Sequence, residues 1–364
     1  MGEKKKRVVV AMSGGVDSSV AAALLLEEGY EVIGMTMQLW SQADERTPGG
    51  CCSLETIQDA RQVAERLGIP FYVVNFRDVF EKKVIDYFTA EYLQGRTPNP
   101  CIACNRHIKF AALMEKALAL EADYLATGHY ARVIYSPERQ RYLLLKGEDE
   151  RKDQSYVLYN LTQEQLAHTL FPLARYTKEE IRTKAAALHL KVADKPESQE
   201  ICFVPDNNYK NFLRERLGLK AFPPGDFVNL QGEVIGRHRG LPFYTVGQRK
   251  GLGLALGYPA YVVALDPEHN RVVVGREDEV FRPGLYAREH NFIAVPALTA
   301  AMEVQVKIRY SAVPAAAVIS PLEDGRVRVM FAKPQRAATP GQAVVYYQGD
   351  MVVGGGTIDQ VICE

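Results

Sequence analysis

The chain has 364 residues, with 44 basic and 44 acidic side chains, 47% hydrophobic and 24% charged content. That balance excludes an acidic disordered chain and a uniformly basic nucleic-acid coat protein. One hydrophobic core stops growing at about 250–300 residues, so two or three domains are expected.

No stretch approaches the roughly 18 apolar residues of a membrane span. The basic start is followed by a short apolar run, Val8 to Met12, that breaks at Ser13 and is too short for a signal segment. A cytoplasmic protein with no membrane partner is expected. Six cysteines are too few for a disulfide scaffold. Closely spaced cysteines in a reducing compartment point instead to redox, metal or nucleophile chemistry.

The first 130 residues alternate in texture. Arg7–Ala11 is a β-branched run. Asp17–Glu28 has helical composition and stops at Gly29. Glu31–Met37 is strand-like, Leu54–Leu67 is an amphipathic helix ending at Gly68, and Pro70–Asn75 is strand-like. A helix over Lys109–Leu120 and a strand over Tyr124–Thr127 follow. Strands alternating with helices imply an α/β fold with a doubly wound parallel sheet. After a helix at Asn208–Leu217 the texture changes. Glycine and proline punctuate short β-rich runs at Tyr261–Leu265, Arg271–Val274, Val304–Ile308, Ala315–Ile319, Val327–Phe331 and Ala343–Tyr347. These predict two small β-rich domains, the last a β-barrel. Boundaries near Pro205 and Arg282-Pro283-Gly284 give domains over 1–205, 206–283 and 284–364. Net charge is −3 over residues 1–150, +5 over 151–250 and −2 over the remainder.

Val8 to Ser19 reads as a hydrophobic strand, a turn of small residues and a helix start. Gly14 and Gly15 let the backbone approach an anion. Ser13, Ser18 and Ser19 offer hydroxyls, and the helix start adds N–H groups and a favourable dipole. The Walker pattern and the G-x-G-x-x-G dinucleotide pattern are both missing. Ser-Gly-Gly-x-Asp-Ser-Ser resembles the PP-loop of ATP pyrophosphatases, which split ATP between the α and β phosphates. The resemblance implies an ATP site on Ala11, Met12, Ser13, Gly14, Gly15, Val16, Asp17 and Ser18, with Asp17 helping to position Mg2+. It also implies that Met37 meets the adenine ring, although core packing explains Met37 equally well. Gly128-His129-Tyr130 follows another strand end. Its glycine suits close approach to the nucleotide, and its histidine suits either phosphate contact or the core.

Thr97 to Asn105 forms a proline-bracketed turn leading into a helix. The helix dipole together with Arg106, His107 and Lys109 favours a reactive thiolate at Cys101 or Cys104. Cys202 stands alone between a polar run and a hydrophobic exit. Cys51-Cys52 and Cys363 read as incidental.

Six stretches together are specific. They are P-N-P-x-x-x-C-N at 98–105, K-D-Q-S-Y at 152–156, S-Q-E-I-C-F at 198–203, the run from Gly240 to Gly253, V-K-I-R-Y at 306–310 and the run from Pro334 to Tyr347. They resemble the bacterial tRNA 2-thiouridylase family along all three expected domains. The resemblance implies that ATP adenylates the C2 oxygen of a wobble uridine and that a cysteine persulfide then delivers sulfur. In that scheme Cys104 is the nucleophile-type cysteine and Cys202 the persulfide carrier. A carbonyl oxygen leaves poorly until it is adenylated, and a persulfide is a soft, strong nucleophile at neutral pH. Family members carry Asp, with an acid/base role, where this chain has Cys101. The change leaves that role open and creates Cys101-x-x-Cys104. With Cys202 these thiols could instead hold a [4Fe–4S] cluster with one open iron.

By the same resemblance Asn99, Pro100, Cys101, Lys152, Asp153, Gln154, Arg309 and Tyr310 meet the tRNA anticodon loop or the target base. The loops Arg237-His238-Arg239-Gly240 and Gln248-Arg249-Lys250-Gly251 suit phosphate contact, and Tyr244 suits stacking. A monomer served by an upstream persulfide donor protein is expected. Two other readings make different predictions. Another PP-loop adenylating enzyme, such as an amidotransferase-type synthetase or a tRNA lysidine synthase, would tolerate Cys104→Ser. A nucleotide-binding regulatory module would release no pyrophosphate with tRNA.

Overall fold

The computed structural model describes residues 5–39, 54–195, 201–204 and 207–363. Cys51-Cys52, Ser198-Gln199-Glu200 and Pro205 lie outside them. The described residues group into two compact units, one from 1–84, 100–207 and 350–352, the other from 85–99, 208–349 and 353–364.

The first unit is built on a parallel five-stranded sheet. It contains β1 (Arg7–Ala11), β2 (Glu31–Gln38), β3 (Phe71–Asn75), β4 (Tyr124–Ala126) and a two-residue strand, Thr169–Leu170, in the order β3-β2-β1-β4 with the short strand at the edge. β1 is central because Val8, Val9 and Val10 are wholly buried, as a strand covered on both faces must be. α1 (Val16–Glu27) is apolar nearly all round and correspondingly sunk, with nine buried residues from Val16 to Leu25. α2 (Leu54–Leu67) turns only Thr56, Ile57, Ala60, Val63 and Ala64 inward, the stripe expected of an amphipathic surface helix. The helix Lys178–Ala187 adds Ile181 and Ala185 to the cluster that contains Val20, Ala21 and Leu24 of α1. The helix predicted over 109–120 is instead a short α-turn, Pro100–Cys104, a π-type stretch, Asn105–Leu113, and an α-turn, Met114–Ala119. A hairpin unforeseen in the sequence, Ala131–Ser136 with Arg141–Lys146, completes the unit, and Met351 pairs with Leu145.

In the second unit, Gly225–Val228, Val234–His238, Tyr261–Asp266 and Arg271–Gly275 make a four-stranded sheet. Six further strands, Phe281–Phe292, Met302–Lys307, Ala315–Pro321, Val327–Arg336, Ala343–Gln348 and Met351–Ile362, close into an antiparallel barrel because the first pairs with both its neighbour Val327–Arg336 and the last. Its interior follows the two-residue alternation of strands, with Val304, Val306, Ala317, Ile319, Val327 and Val329 inward. The helix Asp86–Leu93 belongs to this unit. Its Phe88 and Tyr92 pack on Phe212 and Tyr209 of the helix Tyr209–Leu217. No helix among the described residues is long and apolar enough to cross a membrane.

Candidate active site

The loop after β1 is built from its own small side chains. Ser18 Oγ accepts the Ser13 N–H at 3.1 Å and donates to the Gly15 carbonyl at 3.2 Å, and Ser19 Oγ donates to the same carbonyl at 2.8 Å. Met12 is pinned on both sides, its N–H to the Met35 carbonyl and its carbonyl to Thr36 Oγ1. Ser13 is exposed and Ala11, Gly15 and Asp17 are half-buried, while Met12, Gly14, Val16 and Ser18 are buried. Gly14 is obligatory. Its φ is +68°, and a Cβ there would fall 2.1 Å from the Thr56 carbonyl oxygen. Gly15 caps α1 without a side chain. The first-turn N–H groups thus meet no capping oxygen from it, the arrangement that suits a bound phosphate. Gly128 closes the other side. A Cβ at Gly128 would lie 2.8 Å from the Asp17 carbonyl carbon and the Ser18 nitrogen.

Asp17 leaves the loop's first helical turn and is held from outside. Lys178 Nζ lies 2.6 and 2.7 Å from its two oxygens, and the Tyr130 hydroxyl donates to one of them at 2.8 Å. Lys178 is the first residue of a helix whose start is fixed by a capping box between Thr177 and Glu180, and its own N–H donates to the buried Asp149 carboxylate. The sequence reading missed Lys178 as a site residue. The capping-box spacing Thr177-x-x-Glu180 is a signal that could have placed the start of its helix, but nothing local tells where its side chain reaches.

Asp17 is a partly exposed carboxylate beside a phosphate loop, which fits a magnesium ion carried in largely by a triphosphate. Asp17 is the residue that would hold it, and the ion would supply neutralisation of phosphate charge. Met37 is buried at the end of β2 opposite Val74. His129 is core rather than phosphate contact. It is buried between Phe110 and Phe171 with Nδ1 2.6 Å from Thr127 Oγ1, and burial pushes its imidazole well below the usual range.

The three candidate site cysteines occupy two places in the first unit. Cys101 is exposed and Cys104 half-buried on the turn Pro100–Cys104, where Pro100 itself is buried. His107 adds little positive charge beside them at neutral pH, since burial and then Arg106 and Lys83 lower its pKa. Cys202 is half-buried, on a segment anchored where Phe203 packs edge-on against Phe80. Among the described residues no group of three or more His, Cys, Asp or Glu could hold a metal ion. As described, Cys101, Cys104 and Cys202 are thus not gathered into the three-thiolate set a cluster requires.

The segment 152–154 is tied back to the nucleotide loop. Gln154 and Tyr130 exchange two hydrogen bonds, the Gln154 N–H to the Tyr130 carbonyl and the Tyr130 N–H to Gln154 Oε1. Asp153 is buried, accepting from the N–H groups of Gly147 and Ser155 and from the Ser155 hydroxyl, so it braces the segment while Lys152 is half-buried.

In the second unit, Asn99 is half-buried at the end of a strip held to the barrel. The Thr97 N–H donates to the Pro340 carbonyl, and Gln342 Nε2 donates to the Thr97 carbonyl. Arg309 directs one guanidinium nitrogen to the carbonyls of Val246 and Ala337 and to Thr339 Oγ1, a bracing role, while Tyr310 is exposed. Arg249 and Lys250 are exposed. Tyr244 is not a surface ring. It is buried against Phe227 and His238.

The chain matches three consecutive family models, described as tRNA methyl transferase HUP domain over 6–206, tRNA methyl transferase PRC-barrel domain over 210–276 and aminomethyltransferase beta-barrel domain over 282–358. It is 63% identical over 356 residues to the tRNA-specific 2-thiouridylase MnmA of Heliobacterium modesticaldum, covering 97% of this chain and 92% of that protein. It is 59% identical over 359 residues to the MnmA of Carboxydothermus hydrogenoformans, covering 98% of each. A PP-loop-type sheet with a buried lysine on its aspartate, the two β-rich modules that follow it in sequence and near-full-length identity of this order make the chain a member of the tRNA-specific 2-thiouridylase family.

Proposed function

We propose that this chain is an ATP-dependent tRNA-uridine 2-sulfurtransferase acting on the wobble position. The observation that carries the reading is the near-complete alignment with named 2-thiouridylases at 57–63% identity, coupled to a phosphate loop of serine hydroxyls and helix N–H groups. The uridine C2 oxygen attacks the α-phosphorus of ATP, the α–β bridging P–O bond breaks, and pyrophosphate leaves. The terminal sulfur of a Cys202 persulfide then attacks C2. Cys104 thiolate attacks the Cys202 sulfur, so a Cys104–Cys202 disulfide forms, the sulfur stays on C2, and AMP leaves. A cellular dithiol reduces the disulfide, and a persulfide-bearing donor protein reloads Cys202.

In this reading Ala11–Ser18, Met37 and Gly128 form the ATP site. In the first unit Pro100, Cys101, Lys152 and Gln154 contact the tRNA, with Asp153 bracing their segment; in the second, Asn99 and Tyr310 do, beside the bracing Arg309. The chain works as a cytoplasmic monomer, with domains over 1–205, 206–283 and 284–364. The neutral total charge limits non-specific RNA binding, while the +5 balance of residues 151–250 supplies a local surface for phosphate.

The test is one reaction. ATP, magnesium, a persulfide source and unmodified tRNA are incubated with anaerobically purified protein, and the wobble nucleoside is read by mass. 2-Thiouridine from iron-free protein, lost in Cys104→Ser and Cys202→Ser while pyrophosphate release persists, supports the reading. Thiolation that survives Cys104→Ser overturns it in favour of another PP-loop chemistry, and stoichiometric iron and sulfide required for thiolation overturns the persulfide route.

A further inference from the structure

We propose that Asn105 and Asn160 are positioning residues for the Cys104 thiol, two buried side-chain amides that bracket the cysteine and fix its turn. The inference rests on Cys104 being the nucleophile-type thiol.

The turn Pro100–Cys104 opens a helical run that continues without a break to Ala119. Immediately after Cys104 the coil widens into the π-type stretch Asn105–Leu113. Such widening is rare and concentrates at functional sites. The segment 155–165 bonds this run on both sides of Cys104, where the coil changes. Asn105 Nδ2 donates to the Val157 carbonyl at 2.9 Å, one residue after the cysteine. Asn160 Nδ2 donates to the Ile102 carbonyl at 3.4 Å, two residues before it. Further along the same stretch Gln165 Nε2 donates to the Phe110 carbonyl. The two asparagines thus clamp the turn on either side of the thiol.

Their other ends show that the clamp is not ordinary packing. Asn105 and Asn160 are 1% and 8% exposed, and the Oδ1 of each is buried with no donor among the described residues. Turning either amide over would set Oδ1 against a backbone carbonyl oxygen, so each is fixed in the orientation that leaves Oδ1 bare. Buried amide oxygens rarely go without a donor, and an apolar side chain of similar size would avoid the penalty. Two such oxygens on the residues that clamp one cysteine turn are what a site looks like when geometry outranks stability. The segment that supplies the clamp continues from Gln154, whose amide bonds Tyr130, so the cysteine turn and the Asp17 loop are braced by one length of chain.

The experiment uses Asn160→Leu, which keeps the branched shape but removes both the bare oxygen and the donor to the Ile102 carbonyl, and Asn105→Asp, which keeps the shape and removes the donor. Three quantities are read in the full-length protein with tRNA. They are pyrophosphate release, 2-thiouridine formation, and the rate of Cys104 alkylation by iodoacetamide, followed by peptide mass against Cys101 as internal reference. The expected result is thiolation down at least tenfold, pyrophosphate release within threefold, and Cys104 alkylation changed at least threefold relative to Cys101. Thiolation within twofold of the parent overturns the proposal, as does a parallel fall in pyrophosphate release and thiolation. If Asn160→Leu does not fold, Asn105→Asp decides by the same criteria. Should the parent protein make no 2-thiouridine at all, the assigned reaction fails, and the alkylation ratio alone decides whether the asparagines position the thiol.

Discussion

Lys178 Nζ contacts both carboxylate oxygens of Asp17, although 161 residues separate the two in sequence. A Walker loop carries its phosphate-facing lysine within the loop itself. Here the cation arrives from the first turn of a distant helix and is placed by the very aspartate that marks the loop. The lysine side chain is 7% exposed and that of Asp17 31%. Lys178→Met leaves a partly buried carboxylate uncompensated, with an expected stability loss of about 1–3 kcal/mol, below the loss for a fully buried pair. Pyrophosphate release should fall at least a hundredfold in Lys178→Met and recover partly in Lys178→Arg. Unimpaired pyrophosphate release from a folded Lys178→Met protein would remove the lysine from the nucleotide site.

Arg309 and Tyr310 are adjacent but should separate cleanly. The Arg309 guanidinium braces Val246, Ala337 and Thr339, whereas Tyr310 is 43% exposed. Arg309→Ala strands these partly buried acceptors, and the expected loss is about 1–3 kcal/mol without tRNA present. Tyr310→Ala should leave the melting temperature within about 2 °C, since surface changes stay within roughly 0.5 kcal/mol, and should weaken tRNA binding. Thermal melts and a filter-binding titration read both.

Arg249 and Lys250 are exposed and lie in a glycine-flanked loop. If both contact phosphates, replacing them by Ala lowers the slope of log K against log salt by about 1.4–1.8, at roughly 0.7–0.9 per contact. Binding to tRNA across a salt series measures it, and an unchanged slope rejects the contact.

Burial holds the His129 imidazole well below its ordinary range, so the unfolded chain takes up that proton first as pH falls. The stability it supplies is complete above about pH 6.5, the unfolded value, and drains away below it by up to about 1.4 kcal/mol per pH unit. His129→Phe, packing between Phe110 and Phe171, should flatten the decline of melting temperature between about pH 6.5 and 4.5. The same slope in parent and variant would show that His129 does not carry the effect.

Much of the nucleotide-binding half was legible because its signals are local. The apolar run of β1, the glycines after it and the helical composition behind them place Arg7–Ala11, the loop and Val16–Glu27 to within a residue or two. The final barrel strand, Met351–Ile362, escaped because Gly354-Gly355-Gly356 reads as a turn. The barrel has no space there for side chains. A Cβ on Gly354 would lie 2.5 Å from the Asn291 carbonyl oxygen, and one on Gly356 would lie 2.6 Å from His290 Nδ1. The strand Phe281–Phe292 escaped for a related reason. Pro283 and Gly284 sit at an irregularity in its pairing with Val327–Arg336, and only the tertiary register makes them strand residues. The roles of Lys178, Asn105 and Asn160 depend on partners dozens to more than a hundred positions away, which no local pattern records. Tyr244, read as available for stacking, and His129, left open between phosphate contact and core, are both core, because burial, unlike residue type, is set by what packs above them.

The second unit draws residues 85–99 together with stretches that follow much later, and this gives the fold a timetable. Arg96 bonds the carbonyls of Ile358 and Asp359, up to 263 residues downstream. At ribosomal speeds of about 5–20 residues per second, Arg96 is synthesised roughly 13–50 s before those partners exist. Phe88 and Tyr92, buried in the finished protein, await Phe212 and Tyr209 for several of those seconds. The nascent chain thus carries an aromatic helix with no cover of its own for much of translation. A chain ending between residues 212 and 358 would have that helix covered and Arg96 held by Glu91 alone, without its two barrel carbonyls.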